Sequence, residues 1–163
     1  MRLFFANKFF TFKGSSKVTD ENKQLQFYIK GKFFTFTRKK YLQTPEGLPV
    51  FTIRNKYWHL FFHTALIFDN DNTLLMKIRG KFMIRHSFKV ESPLGDYRID
   101  GDYLGWDFDI YKNGEKIAHI RRKIISFVDT YIIDIDKEDE TPLMVAMAVA
   151  LDNIRDHKKL KMH

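Results

Sequence analysis

The chain has 163 residues, of which 44% are hydrophobic and 16% aromatic, so it is long enough to enclose one sizeable core. It has no cysteine, which excludes a disulfide framework, a thiolate metal site and a catalytic thiol. Its formal net charge of +8 at pH 7 favours an anionic partner. No linker or low-complexity tract divides the chain, so we predict a single domain over residues 1–155 and a basic tail over residues 156–163.

The positive charge is concentrated in the first part of the chain. Residues 1–60 hold 12 Lys and Arg against 3 Asp and Glu, whereas residues 61–163 hold 16 against 17. Residues 1–12 lack the continuous apolar run and small-residue cleavage site of a signal peptide. We therefore expect a cytoplasmic protein, with peripheral attachment to a membrane as an option.

A five-residue signature recurs along the chain: an apolar residue, Lys or Arg, Gly or Asn, Lys, and an aromatic residue. Three close copies and three looser ones begin, respectively, at Ile29, Ile53 and Ile78, and at Phe5, Ile99 and Ile120. In chain order these positions are 24, 24, 25, 21 and 21 residues apart, a period typical of stacked or closed repeat folds. Within the signatures, Gly31 and Gly80 are expected to need a positive φ or a close approach of backbone.

Turn-forming clusters separate the signatures. They are Asp20-Glu21-Asn22, Pro45-Glu46-Gly47, Asp69-Asn70-Asp71-Asn72, Pro93-Leu94-Gly95 and Asn113-Gly114. Gly and Asn tolerate positive φ, and Asp or Asn side chains bond to nearby backbone, so the clusters predict turns. Between turn and signature, apolar residues such as Leu25, Phe27 and Ile29 alternate with polar ones, as in a half-buried strand. A second strand-like run follows each signature, so the repeating unit is two strands.

Six such units predict a mainly β fold, a closed barrel of twelve strands without free edges. The run from Leu143 to Leu151 is apolar on every side, and it follows Thr141 as a hydroxyl N-cap and Pro142 at the first helical position. A helix without a polar face must be buried all round, and this run is far shorter than the roughly 20 residues that cross a bilayer. We therefore predict a central hydrophobic C-terminal α-helix over residues 142–154, inside the barrel.

Every signature lies between the two strands of its unit, so all six are expected at one end of the barrel. Seven bases of the signatures are candidate ligands for an anion: Lys8, Lys30, Lys32, Arg54, Lys56, Arg79 and Lys81. Anionic lipid headgroups fit such a surface, at about 1 kcal/mol per Lys or Arg near the membrane. Nucleic acid is a less favoured partner, and a partner protein is a further option. The alternative is that these lysines only keep loops soluble and strand ends unpaired.

Residues 24–154 resemble the LURP-one-related family of the Tubby C-terminal-like superfamily, to which the phospholipid scramblases also belong. The resemblance rests on the order and spacing of several motifs: Tyr28 to Phe33, Gly101 to Phe108, Tyr111 to Gly114 followed by Ile117-Ala118, Asp129-Thr130-Tyr131, and the apolar C-terminal helix. It implies a twelve-stranded barrel around a central hydrophobic helix. Tubby-type members bind phosphoinositides, which the resemblance extends to this chain as an expectation. The chain lacks the cysteine run and the extra C-terminal membrane segment of scramblases, so lipid scrambling is not transferred.

Candidate catalytic and metal groups are few. His59 and His63 are four residues apart, as metal ligands on a helix can be, but they lie where the repeat predicts loop and strand, and no His-Glu-x-x-His motif accompanies them. Asp107 and Asp109 flank Phe108 as a carboxylate pair might, yet their period of two is typical of the solvated face of a strand. We expect no catalytic residue, no metal and no cofactor.

Two hypotheses of function remain. The favoured one is a non-enzymatic binding module that docks through a basic face to anionic phospholipid headgroups, of phosphoinositide type, or to another polyanion. The alternative is a small enzyme or ligand carrier with a pocket at one barrel mouth, near His86, His119, Asp107 and Asp109. Asp100 and Asp102, which replace bases in the fifth signature, are expected to pair with bases of a neighbouring unit.

Overall fold

A computed structural model of the chain describes residues 1–6, 15–31, 37–56, 63–80, 87–102, 105–125 and 128–161. These residues form twelve β-strands, a 3-10 turn and one α-helix. The strands are β1 (Arg2–Ala6), β2 (Ser15–Asp20), β3 (Leu25–Gly31), β4 (Lys40–Gln43), β5 (Pro49–Asn55), β6 (Thr64–Phe68), β7 (Leu74–Gly80), β8 (Ser87–Glu91), β9 (Tyr97–Asp102), β10 (Asp107–Lys112), β11 (Glu115–Ile125) and β12 (Val128–Ile135). The 3-10 turn spans Glu138–Glu140, and the helix α1 spans Thr141–Lys161.

The strands form one closed antiparallel barrel. Each strand pairs with its neighbours in sequence, and β1 pairs with β12, where Phe5 lies opposite Tyr131. The rings of these two residues stack with their centroids 4.7 Å apart across the closure. The predicted barrel of six two-strand units is therefore confirmed, and closure leaves no unpaired sheet edge.

The predicted turn clusters all join an even-numbered strand to the next odd-numbered one. In two of them an aspartate holds the turn: Asp20 Oδ1 accepts from the backbone N–H of Asn22 and Gln24 at 2.9 Å each, and Asp69 does the same for Asp71 and Thr73. These turns lie at one end of the barrel, which we call the turn end. The described residues of the signatures lie in or directly after the odd-numbered strands, towards the opposite end, the signature end.

The helix α1 fills the barrel, as predicted. From Met144 to Leu151 no residue is more than 1% exposed, and the helix packs against β5, β6, β7 and β12. Inward-facing residues of the wall such as Ile53, Ile67 and Ile133 are fully buried around it. Within the described part of the chain, no helix is both long and apolar enough to span a membrane.

The start of α1 differs from the prediction. Thr141 does not act as an N-cap: it is itself helical, with φ −50° and ψ −51°, and the 3-10 turn precedes it. Its hydroxyl is buried and bonds to none of the described residues. Glu138–Glu140 form this 3-10 turn, which adds one helical turn ahead of α1.

Polar contacts fix α1 at the turn end. The Glu140 carboxylate accepts from the Tyr97 hydroxyl at 3.0 Å and forms an ion pair with Lys112. The Lys112 ammonium also lies over the Tyr97 ring, 5.3 Å from its centroid. The hydrogen bond from Lys112 to Glu140 raises the pKa of Lys112, and burial is the main cause that raises the pKa of Tyr97.

At the signature end α1 carries a buried charge. Asp152 is fully buried, and its Oδ2 lies 3.1 Å from the Nζ of Lys40, itself only 6% exposed. Its Oδ1 accepts from the Tyr131 hydroxyl at 2.5 Å. A buried ion pair is tolerated where hydrogen bonds satisfy both partners, and it fixes the position of the helix more than it adds stability.

The helix is also longer than predicted. The apolar pattern ends at Ile154, but α1 continues to Lys161, into residues predicted to be a basic tail. Each residue added to an existing helix forms a hydrogen bond without a new nucleation cost, so polar residues can extend it.

Gly80 of the third close signature does not behave as expected. Neither Gly31 nor Gly80 has a positive φ, and a Cβ on Gly80 would meet its nearest atoms at an ordinary 3.6 Å. A close approach of backbone at Gly31 stays a prediction. The critical glycine is Gly101 of the fifth copy, with φ +152°. A Cβ there would lie 2.0 Å from the Asp107 carbonyl oxygen and 2.8 Å from the Cα of Phe108. The close approach of β9 to β10 therefore requires glycine at this position.

Replacement of Ala148 by Asp tests the central helix. The change places a charge in a fully desolvated core, so we expect the free energy of unfolding to fall by several kcal/mol, a large part of a typical total of about 5–15 kcal/mol. Thermal unfolding followed by circular dichroism measures this. Leu94→Asp adds the same charge at a residue that is 43% exposed and should melt close to the wild type. Equal melting of the two variants would contradict the buried position of α1.

Gly101→Ala tests the approach of β9 to β10. We expect it to destabilise more than Gly47→Ala, because Gly47 also has a positive φ, of +88°, but a Cβ there meets no atom within 4 Å. Backbone strain of roughly 1–3 kcal/mol is common to both variants, so the difference reports the clash. Chemical denaturation measures both, and an equal loss would show that strain alone matters.

Glu140→Gln tests the contact at the turn end through pH. The pKa values of Lys112 and Tyr97 are both raised in the folded protein. Such a group stabilises the fold at pH values below its unfolded pKa. This contribution is lost as the pH rises through the folded pKa. The wild type should therefore exceed Glu140→Gln in stability by a constant amount below about pH 10, with the difference shrinking above it. Urea unfolding from pH 7 to 11 measures it. A difference that grows with pH would contradict the assignment.

Candidate anion-binding wall and neighbouring polar clusters

Four of the seven predicted anion-binding residues are described. Lys30 lies near the end of β3, Arg54 in β5, Lys56 just after β5 and Arg79 near the end of β7. The other three fall outside the described residues: Lys8, Lys32 and Lys81. All four described residues are in the signature-end half of adjacent hairpins.

These residues point outwards. Ile29, Ile53 and Ile78 are at most 2% exposed and face the core, so the next residue along each strand faces the opposite side. Lys30 and Lys56 are exposed, whereas Arg54 and Arg79 are half-buried. The outer side of β3 to β8, which carries them, is called the β3–β8 wall below.

Strand register aligns the bases in lateral rows. The backbone N–H of Lys56 donates to the carbonyl of Thr64 at 2.9 Å, Thr64 lies opposite Arg79, and Arg79 lies opposite Lys89. Adjacent strands are about 4.8 Å apart, so the row places cations at intervals of about 5–10 Å. Such spacing suits the negative charges of phosphate groups at a surface.

Charge differs between the two sides of the barrel. The described strands β3 to β8 contain six bases, Lys30, Lys40, Arg54, Lys77, Arg79 and Lys89, and one acid, Glu91. Of the bases, only Lys40 turns inward, towards Asp152. Strands β9 to β12 contain six bases and seven acids: Arg98, Lys112, Lys116, Arg121, Arg122 and Lys123 against Asp100, Asp102, Asp107, Asp109, Glu115, Asp129 and Asp134.

Several bases of the β3–β8 wall are held in place. The guanidinium of Arg54 lies over the Phe68 ring, 4.8 Å from its centroid. Glu91 lies 2.9 Å from the Nζ of Lys77 and 3.4 Å from that of Lys89. The hydrogen bonds, that from Lys77 foremost, lower the pKa of Glu91. One acid therefore orients two neighbouring lysines.

Sequence reasoning missed Lys77 and Lys89, because neither belongs to a signature. The signal that finds them is alternation: Lys77 lies between the buried Met76 and Ile78, and Lys89 follows the buried Phe88. Alternation shows that each faces outwards, but only the strand register shows that they lie beside Arg54 and Arg79.

Asp107 and Asp109 are on the outer side of β10, as the solvated-face interpretation predicted. Asp109 lies 2.8 Å from His119 Nδ1 and 2.5 Å from Lys116 Nζ, and Asp107 lies 3.4 Å from His119 Nε2. Burial alone would raise the pKa of Asp109, but hydrogen bonds from Lys116 and His119 outweigh it and lower this pKa. The cluster lies on the outer side of β10, outside the β3–β8 wall; His86, the other residue of the pocket hypothesis, lies outside the described residues.

Other predicted polar groups have simple placements. Asp100 pairs with Arg98 of its own strand at 2.9 Å, not with a base of a neighbouring unit. His63 is half-buried just before β6 and is not helical, while His59 lies outside the described residues. Among the residues that the structure describes, no three His, Asp or Glu side chains are grouped to hold a metal ion.

A polar layer inside the signature end was not foreseen. Besides Lys40 and Asp152, it contains Asn55, whose Nδ2 donates to the carbonyl of Asn153 at 3.3 Å. Asn153 in turn donates to the Arg38 carbonyl at 3.1 Å. The only sequence signal was Asp152-Asn153 directly after an apolar run, which by itself fits a helix emerging into solvent.

The sequence and the structure are similar to those of known proteins. Residues 1–152 match the family described as LURP-one-related. The chain is 24% identical over 155 residues to the uncharacterized protein YxjI of Bacillus subtilis (strain 168), covering 94% of this chain and 93% of that protein. It is also similar to the X-ray structure of a protein from Arabidopsis thaliana, with a TM-score of 0.58, 19% identity and coverage of 93% of this chain and 91% of the other, a likeness of fold alone. With a twelve-stranded barrel closed around its helix and a family match over nearly its whole length, the chain belongs to the LURP-one-related family.

Proposed function

We propose that the protein is a non-enzymatic binding module that docks through the β3–β8 wall to anionic phospholipid headgroups of phosphoinositide type. The observation that carries the proposal is the uneven charge of the barrel: six bases to one acid in β3 to β8, against six to seven in β9 to β12. In this proposal the module attaches peripherally to the surface and needs no membrane-spanning segment.

The form of the wall favours a lipid surface over nucleic acid. The bases lie on the convex outside of a barrel and are spread over several adjacent strands. Bases that project from an outer wall can face the headgroups of a membrane surface, whereas single-stranded nucleic acid is usually held in a basic groove with stacking aromatic rings. Two outward rings near the wall bases, Phe68 and Tyr41, instead lie beneath cations, with Arg54 and Lys39 over them.

Binding at such a wall needs little rearrangement. Arg54 is fixed by Phe68, and Glu91 orients Lys77 and Lys89, so part of the side-chain entropy is lost before the ligand arrives. About 1 kcal/mol per base near an anionic surface, over the five outward bases of these strands and Lys56, would give a moderate, salt-sensitive affinity.

The carboxylates of β10 support a non-enzymatic role. Asp109 is held by Lys116 and His119, and these groups lie on an open strand surface. General acid–base catalysis needs a group within hydrogen-bond reach of a bound substrate, usually in a site that excludes water. We propose that this cluster stabilises the pairing of β10 with β11.

Charge reversal on the wall tests the proposal. Lys30→Glu, Lys56→Glu and Lys89→Glu together should abolish flotation with liposomes that contain phosphoinositide, because three exposed cations become anions at the binding face. The melting temperature should stay nearly unchanged, since exposed positions contribute little to stability. Liposome flotation and a thermal melt measure the two.

The matched control reverses three exposed lysines elsewhere: Lys17→Glu, Lys23→Glu and Lys123→Glu change the net charge equally. This control should retain most of the binding. Equal loss in both triple variants would mean non-specific attraction, and no binding by the wild type would refute the proposal. Preferred binding to single-stranded DNA in a competition assay would identify nucleic acid as the partner.

Salt gives an independent measure of the same interaction. Wild-type binding to anionic liposomes should weaken steeply once the Debye length falls below roughly 8 Å, near physiological ionic strength. Binding that is unaffected by about 1 M salt would instead point to apolar insertion.

A further inference from the structure

The two ends of the barrel have opposite charge. The turn end, taken as residues 21–24, 44–48, 69–73, 92–96, 113–114 and 136–140, carries two bases, Lys23 and Lys137, and nine acids: Glu21, Glu46, Asp69, Asp71, Asp96, Asp136, Glu138, Asp139 and Glu140. The segments that join the strands at the signature end carry, by sequence, no acid and eight bases: Lys8, Lys13, Lys32, Arg38, Lys39, Lys56, Lys81 and Arg85. By residue type, acids therefore predominate at the turn end, where Arg2 pairs with Glu21 and Lys112 with Glu140, and bases predominate in the segments that join the strands at the signature end.

The turn end also carries exposed apolar side chains. Among the described residues, the exposed large hydrophobic ones are Met1, Leu48, Leu74 and Leu94, at 45%, 63%, 41% and 43%. All four lie at the turn end: Met1 precedes β1, and the three leucines belong to three consecutive hairpins. The four side chains share one end of the barrel with the acidic turns, so a partner that docks on this end can contact both apolar and acidic groups.

Hydrogen bonds link the leucine-bearing hairpins to one another. Asn70 Nδ2 donates to the Pro49 carbonyl at 2.9 Å, which ties the second of these hairpins to the first. The Ser92 hydroxyl donates to the Leu75 carbonyl at 2.7 Å, which ties the third to the second. A surface that is ordered before binding loses little conformational entropy when a partner docks.

A complementary element lies at the opposite end of the same molecule. Ile154, with 1% exposure, is the last residue of α1 whose burial is described, and the helix continues to Lys161. Seven further residues extend the helix by about 10 Å at 1.5 Å each. By sequence this segment, residues 155–161, carries four bases, Arg155, Lys158, Lys159 and Lys161, one acid, Asp156, and an apolar residue, Leu160.

We propose that two copies of this chain associate head to tail, with helix residues 155–161 of one copy docked on the acidic, leucine-bearing turn end of the next. Charge complementarity selects this occupant, since a basic helical segment with an apolar residue matches an acidic surface with exposed leucines. Such an interface is heterologous, so each copy keeps one free end and longer chains of copies can form. Each copy also has a net charge of +8, so the association works against overall repulsion and is weak.

The test uses two full-length variants, each with one defective end. The head variant, Leu48→Lys with Leu94→Lys, removes two exposed leucines and adds positive charge at the turn end. The tail variant, Lys158→Glu with Lys159→Glu and Lys161→Glu, reverses the charge of the helix end. Analytical ultracentrifugation without lipid should show the wild-type mass rising with concentration at about 0.01 M salt, where the Debye length is about 30 Å, and monomer at about 1 M salt. Each variant alone should stay monomeric.

The decisive measurement is the mixture. The head variant keeps a functional helix end and the tail variant keeps a functional turn end, so an equimolar mixture should form a dimer that cannot extend. A mixture that stays monomeric, or a wild type that is monomeric at every concentration, would overturn the proposal. Lys17→Glu with Arg98→Glu and Lys123→Glu, at exposed positions outside the β3–β8 wall and the turn end, changes the charge as much as the tail variant does and should associate like the wild type. Loss of association in this control would mean that only net charge matters, which also overturns it. Since no lipid is present, the result is independent of the anion-binding proposal.

Discussion

The fold depends on one constraint: a helix that is apolar on every side must be removed from water completely. The middle of α1 meets this constraint inside a barrel, where no residue from Met144 to Leu151 is more than 1% exposed. Small residues at Ala146, Ala148 and Ala150 keep the helix narrow enough for walls lined by Ile, Leu and Met. Barrel and helix are thus mutually dependent, since the helix supplies the core that the twelve strands enclose.

Polar contacts at both ends give the helix a defined depth. Glu140 contacts Tyr97 and Lys112 at the turn end, and Asp152 contacts Lys40 and Tyr131 at the signature end. An apolar helix in an apolar barrel could otherwise slide or rotate at little cost. Buried polar groups penalise any such shift, because a displaced group loses its hydrogen bonds without gaining water.

With the interior filled, the features available for function lie on the outside and at the ends. Strand alternation places Lys30, Arg54 and Arg79 outwards because their neighbours are needed in the core. Closure then brings strands that are far apart in sequence into one cylinder with a cation-rich side and a balanced side. The proposed lipid contact is made by the β3–β8 wall, and the proposed self-association is made by the turn end and the helix end.

The sequence alone determined the number of strands, their pairing into two-strand units and the buried helix, since all three rest on local periodicity and on the cost of exposing apolar surface. It failed at Thr141 and at Gly80, where the conformation depends on neighbouring elements. It could not reveal that Lys77 and Lys89 lie beside Arg54 and Arg79, or that Lys40 reaches Asp152 across 112 positions of sequence. Register and closure decide such contacts, because they depend on which strands meet in space, and alternation along a single strand does not contain that information.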